Sequence, residues 1–121
     1  MGERPSALIH IVDDDDGVRD SLQVLLEASG YDVIAFASPQ DYLDAKPVPP
    51  DCMIVDHLMP GMTGLELIAE IQARGAKFPV IVLTATAERP QKLKVTGVNA
   101  IFGKPVRDDI LLAAIEAACK R

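Results

Sequence analysis

Residues 52–61 read CMIVDHLMPG, an apolar run that ends in Asp56 and leads into a turn. Four apolar residues after Pro50 and Asp51 predict a strand buried on both faces, and the Pro-Gly pair at 60–61 stops it. Asp56 is therefore expected at the carboxyl end of a strand, which in an open α/β sheet is the edge where ligands bind. An aspartate that only caps a turn is the alternative interpretation of this stretch taken by itself.

The composition indicates one small acidic domain. A chain of 121 residues has room for one full-sized core, and we expect a single domain over residues 1–121 with an ordered core from about 7 to 120. It has no apolar run near the roughly 20 residues that span a bilayer and no signal pattern at its start, so no membrane contact and a cytoplasmic location are expected. The net charge of −6 argues against nucleic-acid binding by this domain itself, because that requires a basic face.

The rest of the chain alternates between strand-like and helix-like stretches. Strands are predicted at 7–12, 31–36, 52–55, 79–84 and 97–103. Helices are predicted from the aspartates at 13–16 to Gly30, from Ser38 to Pro47, from Thr63 to Gly75, weakly over 88–95, and after Asp108 as N-cap. In the closing helix the predicted buried side is Ile110, Leu111, Ala114, Ile115 and Ala118. Five alternations predict a doubly wound, five-stranded parallel sheet with helices on both faces.

This topology brings chemically active side chains from distant parts of the chain to one edge. Asp13 and Asp14, Asp56, Thr84 and Lys104 all follow or end predicted strands. Three carboxylates close together repel one another, and either a divalent cation such as Mg²⁺ or protonation of one acid relieves the repulsion. An aspartate beside Mg²⁺, an ammonium group and a hydroxyl group is equipped to accept a phosphoryl group by direct attack.

The histidines and cysteines are expected to have structural roles. His10 is predicted to be a strand residue that faces a neighbour, and His57 to be a surface side chain. Cys52 and Cys119 lack the spacing of a zinc site or a redox pair, so both are expected to be reduced packing residues.

Four motifs in this order resemble a response-regulator receiver domain of two-component signalling, of the FixJ type. They are HIVDDD at 10–15, DHLMPGMTG at 56–64, VIVLTA at 80–85 and KP at 104–105. The resemblance implies the flavodoxin-like (βα)5 receiver fold and a module that takes a phosphoryl group from a histidine kinase or phosphotransfer protein. It also implies that the domain is not an enzyme beyond its own phosphotransfer and dephosphorylation, that it can form homodimers on phosphorylation, and that receivers of this type precede a DNA-binding domain.

The resemblance assigns a role to each site residue. Asp56 becomes the phosphoacceptor, and Asp13 and Asp14 bind Mg²⁺ together with Asp56 and the backbone carbonyl of Leu58. Thr84 becomes the switch hydroxyl that moves toward the phosphoryl group, and Lys104 becomes the ion-pair partner of that group. Pro105 is the proline that follows the lysine, and its peptide bond is commonly cis in this family.

Three departures from the family pattern stand out. Ile101 occupies the usual switch-aromatic position three residues before Lys104, and Phe102 is displaced by one place. The segment from Thr84 to residue 97 is shorter than usual, so a short or irregular fourth helix is expected over 88–95. Leu58 stands where a polar or basic residue is more usual, which is expected to alter water access to an acyl phosphate.

Two other functions remain open from the sequence. An aspartate-nucleophile phosphohydrolase uses the same groups, but it usually carries a second aspartate two residues after the nucleophile, where this chain has Leu58, and a cap insertion that is missing here. A phosphate-independent interaction module would bind partners through the 88–95 region without phosphorylation.

Overall fold

The computed structural model describes residues 7–85 and 98–119. Five parallel strands form one sheet in the order β2-β1-β3-β4-β5. The strands are β1 (Leu8–Val12), β2 (Asp32–Phe36), β3 (Cys52–Asp56), β4 (Val80–Thr84) and β5 (Val98–Gly103). The predicted five-stranded, doubly wound parallel sheet is therefore confirmed.

Three described helices lie in the connections between strands, and a fourth follows the last strand. They are α1 (Asp16–Ala28), α2 (Pro39–Ala45), α3 (Gly64–Ala73) and α4 (Asp108–Cys119). The helix predicted over 88–95 lies outside the described residues. Among the residues that are described, no helix combines the length and the hydropathy that a bilayer crossing requires.

Side chains just before the first three helices accept hydrogen bonds from backbone N–H groups that have no partner within the helix. The Asp15 carboxylate accepts from the Val18 N–H at 3.0 Å, and the Ser38 hydroxyl accepts from the Asp41 N–H at 3.0 Å. Before α3, the Thr63 hydroxyl accepts from the Glu66 N–H at 3.1 Å, while the Glu66 carboxylate accepts from the Thr63 N–H at 2.8 Å. This reciprocal pair is a capping box, and Thr63 and Glu66 stand three residues apart in the sequence, as such a pair requires.

The sheet is covered on both faces, which gives the core two layers. On one face α1 and α4 pack through Leu22, Leu26, Leu111 and Ile115 against strand residues that include Ile9, Ile11, Ile54 and Ile81. On the other face α2 and α3 pack through Tyr42, Leu43, Leu67 and Ile68 against strand residues that include Val12, Met53, Val55 and Val82. Cys52 and Cys119 are not joined in a disulfide, and both belong to the α1/α4 face.

Two predictions about the closing helix are wrong. Asp108 is the first residue of α4 and not its N-cap, so the helix begins one residue earlier than a cap at that position implies. Ile110 is 44% exposed, although the sequence suggests that it is buried. Leu111 and Ile115 face the sheet, and Ile110 lies about 100° around the helix from Leu111, so its side chain is turned toward solvent.

Candidate functional site

The candidate site lies at the carboxyl edge of the sheet, where β1, β3, β4 and β5 end. Asp13 directly follows β1, Asp56 ends β3, Thr84 ends β4 and Lys104 directly follows β5. The strand order reverses between β1 and β3, and such a switch point is where open α/β sheets bind ligands. The backbone hydrogen bonding between β4 and β5 continues past the end of β5, because the Lys104 N–H donates to the Thr84 carbonyl at 2.8 Å.

Three carboxylates meet at this edge. Asp13, Asp14 and Asp56 each offer an oxygen, and these oxygens all lie within 4.8 Å of one another. Asp13 is 1% exposed and Asp56 is 6% exposed, whereas Asp14 is exposed to solvent. Oxygen donors at this spacing, open on one side to water, fit a hard divalent cation such as Mg²⁺, which keeps part of its water shell.

The Lys104 ammonium group faces two of these carboxylates. Its Nζ lies 2.9 Å from Oδ1 of Asp56 and 3.3 Å from Oδ2 of Asp13. Burial alone lowers the pKa of Lys104, but the hydrogen bond to Asp56 and the charges of Asp13 and Asp56 outweigh burial and raise that pKa. The lysine is therefore held as a cation against the buried acids.

Asp56 has a more basic carboxylate than an exposed aspartate. Burial raises the pKa of Asp56 above its ordinary value, the hydrogen bond from Lys104 opposes that change, and the negative charge of Asp13 adds to it. A buried carboxylate beside a fixed ammonium group can attack an electrophilic centre whose own negative charge Lys104 helps to neutralise.

The remaining predicted site residues lie around this centre. Thr84 is buried at the end of β4. Leu58, in the loop between β3 and α3, is 51% exposed. The peptide bond between Lys104 and Pro105 is cis. On β5, Ile101 packs against the α2/α3 face of the sheet, whereas Phe102 packs against the α1/α4 face.

Gly64 brings the start of α3 directly against the strand that carries Asp56. Its N–H donates to the His57 carbonyl at 2.8 Å. A Cβ on residue 64 would lie 2.5 Å from the backbone oxygen of Asp56 and 2.8 Å from Cγ1 of Val55. The sequence motif contains this glycine, but the close approach that requires it becomes visible only in three dimensions.

The structure adds detail for three further polar side chains. Arg19, in the first turns of α1, donates from Nη1 to the backbone carbonyl of Asp13 at 2.8 Å. His10 is fully buried, and its Nδ1 lies 2.8 Å from the Tyr42 hydroxyl, in agreement with a strand residue that faces a neighbour. Burial lowers the pKa of His10 to about 4. His57 is partly buried, and its buried Nδ1 has no hydrogen-bond partner among the described residues, so it is less exposed than the surface side chain that the sequence predicts.

A family model described as the response regulator receiver domain matches residues 9–116. The chain belongs to this family. The receiver domain is 40% identical over 116 residues to the transcriptional regulatory protein FixJ of Azorhizobium caulinodans, an alignment that covers 93% of this chain and 55% of that protein. It is 34% identical over 123 residues to the response regulator protein TodT of Pseudomonas putida, with 99% and 54% covered.

The solved structures agree with this assignment. The crystal structure of FixJ-N matches the receiver domain with a TM-score of 0.86 at 30% identity, over 98% of this chain and 97% of that one. The predictions of a FixJ-type receiver and of a phosphoacceptor role in signalling are therefore confirmed, and the phosphohydrolase and interaction-module alternatives gain no support. The chain spans about half the length of the curated relatives it matches.

Proposed function

We propose that this receiver domain accepts a phosphoryl group on Asp56 from a histidine kinase or a phosphotransfer protein. The observation that carries the proposal is the Lys104 ammonium group 2.9 Å from Asp56, in a site where two more carboxylates have oxygens within 4.8 Å. Mg²⁺ would be held by Asp13, Asp14, Asp56 and the backbone carbonyl of Leu58. When bound, it would supply positive charge to the oxygens of the transferred group.

Three of the chain's own residues would act on the phosphoryl group. A carboxylate oxygen of Asp56 forms the new bond to phosphorus while the bond to the donor's nitrogen breaks, and the donor keeps that electron pair. Lys104 neutralises charge that builds up on the phosphoryl oxygens, and the Thr84 hydroxyl donates a hydrogen bond to one of them. No histidine or serine of this chain is needed as nucleophile.

Phosphorylation would then shift a two-state equilibrium at Thr84 and Lys104. The affected surface would include β5 and α4, and a homodimer of the phosphorylated form would use it. Because Ile101 and not an aromatic residue occupies the switch position on β5, the side chain that responds to Thr84 would be aliphatic. We further propose that the domain comprises residues 1–121, acts in the cytoplasm and leaves any DNA contact to another domain.

The test is phosphorylation with a small phosphodonor such as acetyl phosphate, followed by intact mass measurement. Wild type should gain the mass of one phosphoryl group in Mg²⁺ and none in excess EDTA. Asp56→Asn should gain nothing while keeping the circular dichroism of the wild type.

Asp51→Asn is the matched control, because Asp51 lies at the other end of the same strand, where its carboxylate accepts from the Leu8 N–H at 2.8 Å. It should be phosphorylated like the wild type. Phosphorylation that persists in Asp56→Asn would reject Asp56 as the acceptor.

A further inference from the structure

We propose that Arg19 is a positioning residue that fixes Asp13 for Mg²⁺ binding, an inference that rests on the proposed function. The Arg19 side chain is only 17% exposed, although arginine is usually a surface residue. Its Nη1 donates to the backbone carbonyl of Asp13 at 2.8 Å, and its Nη2 pairs with the Asp16 carboxylate. One guanidinium group therefore holds both ends of the turn that joins β1 to α1.

Asp13 is held at each of its polar groups. Its N–H donates to the Phe36 carbonyl at 3.2 Å, which ties it to β2. Its Oδ1 accepts from the Asp15 N–H at 2.9 Å, and its Oδ2 lies 3.3 Å from Lys104 Nζ. Val12 is the last residue of β1 that pairs with a neighbouring strand, so the carbonyl of Asp13 lies beyond the paired part of the sheet. This carbonyl accepts its hydrogen bond from Arg19.

Without Arg19, a carbonyl at an almost fully buried residue would lose its hydrogen-bond donor. The backbone at Asp13 would then turn to find another donor, and the carboxylate would move with it. A metal ligand depends on such outer contacts for its orientation, and their removal typically weakens metal affinity about 10- to 100-fold. We therefore expect Arg19 to contribute to Mg²⁺ affinity without touching the ion.

The sign of the effect separates positioning from simple electrostatics. The Arg19 guanidinium group is a positive charge near the cation site, and a nearby positive charge repels Mg²⁺. If charge alone mattered, its removal would strengthen Mg²⁺ binding. If Arg19 acts by holding the Asp13 backbone, its removal must weaken binding in spite of the relieved repulsion.

The experiment measures Mg²⁺ affinity by isothermal titration calorimetry. Arg19→Met removes both the charge and the hydrogen bonds, and its Mg²⁺ dissociation constant should rise about tenfold or more. Arg19→Lys keeps the charge but lacks the planar fork that reaches Asp13 and Asp16 together, so it should also bind Mg²⁺ more weakly than the wild type. Arg74→Met is the control, because Arg74 follows α3 at the opposite edge, in an exposed pair with Glu70 at 3.0 Å. Its Mg²⁺ affinity should be unchanged.

Phosphorylation rates give a second readout. At limiting Mg²⁺ the Arg19 variants should react more slowly than the wild type, and at saturating Mg²⁺ their rates should return to the wild-type value. An Arg19→Met variant that binds Mg²⁺ as tightly as the wild type, or more tightly, would overturn the inference. If Arg19→Met does not fold, unchanged affinity in Arg19→Lys would overturn it equally.

The failure of this inference differs from a failure of the proposed function. Wild-type protein that binds no Mg²⁺ would overturn the metal site and the role of Arg19 with it. Wild-type protein that binds Mg²⁺, with Arg19 variants that match it, would overturn the role of Arg19 alone and leave the metal site standing.

Discussion

Replacing Gly64 with alanine tests how closely α3 packs against the strand that carries Asp56, the proposed phosphoacceptor. The new Cβ would lie 2.5 Å from the Asp56 backbone oxygen, 2.8 Å from Val55 Cγ1 and 3.0 Å from His57 Cα. Two of these three neighbours are backbone atoms of a buried strand and the turn after it, and they cannot rotate away. The helix start must therefore move outward until the shortest contact reaches at least 3.0 Å.

The expected cost follows from two opposing terms. Overpacking of this kind typically destabilises a protein by about 1–3 kcal/mol. Alanine is favoured over glycine in a helix interior by up to about 1 kcal/mol, and this gain is smaller at the first helical position. We expect the free energy of unfolding of Gly64→Ala to fall by about 2 kcal/mol. In a domain of this size the melting temperature should then fall on the order of 8 °C.

Gly17→Ala is the matched control for this measurement. Gly17 also lies in the first turn of a helix that follows the carboxyl end of a strand. Within the part of the chain that the structure describes, a Cβ there would meet only Oδ1 of Asp15, at 3.4 Å. Alanine at position 17 should leave thermal unfolding, followed by circular dichroism, unchanged or slightly raised. A melting temperature of Gly64→Ala equal to or above that of Gly17→Ala would refute the close packing of α3 against this strand.

Two further predictions concern titratable groups. Because the unfolded chain protonates His10 below about pH 6.5 and the folded chain only near pH 4, the free energy of unfolding should fall by up to about 3 kcal/mol between these values. In the double variant His10→Phe/Tyr42→Phe, the free energy of unfolding, measured by urea denaturation at successive pH values, should not show this part of the decline. A pH profile like that of the wild type would contradict the assignment of the decline to His10. Lys104→Met should bind Mg²⁺ at least as tightly as the wild type in calorimetry but be phosphorylated about 100-fold more slowly, because the ammonium group is missing from the transition state. Wild-type rates in Lys104→Met would exclude Lys104 from the chemistry.

The fold was predictable because local signals agree with one another along most of the chain. Apolar runs of strand length alternate with capped helices, and the capping box at Thr63 and Glu66 appears in the structure as the sequence indicates. The errors fall in α4, where a continuous apolar stretch makes the buried side ambiguous. Ile110 and Leu111 are adjacent and equally apolar, so only the packing of the helix on the sheet decides that Leu111 is the buried one.

The acidic centre of the site was predictable for a topological reason. Parallel strands deliver their carboxyl ends to one edge, so polar residues at strand ends converge whatever their separation in sequence. Asp13 and Lys104 lie 3.3 Å apart across 91 positions of the chain. The direction and order of the strands are enough to predict this proximity, without any knowledge of side-chain contacts.

The supporting contacts could not be predicted, because they depend on distances that no local pattern encodes. Arg19 looks like an ordinary surface arginine on an amphipathic helix, and only the path of the turn brings it to the Asp13 carbonyl. The His10–Tyr42 hydrogen bond joins residues 32 positions apart on different elements. The need for glycine at position 64 becomes apparent only when α3 is packed against the strand that ends in Asp56.

The most direct test of the acceptor assignment identifies the modified residue chemically. Borohydride reduces an aspartyl phosphate to homoserine, so wild-type protein treated with acetyl phosphate and Mg²⁺, then reduced and digested, should contain homoserine at position 56 in its peptide map. All other aspartates, including Asp13 and Asp14, should be unchanged. Homoserine at another aspartate, or a phosphoryl group that survives on a histidine or serine, would contradict the conclusion that Asp56 is the acceptor in this site.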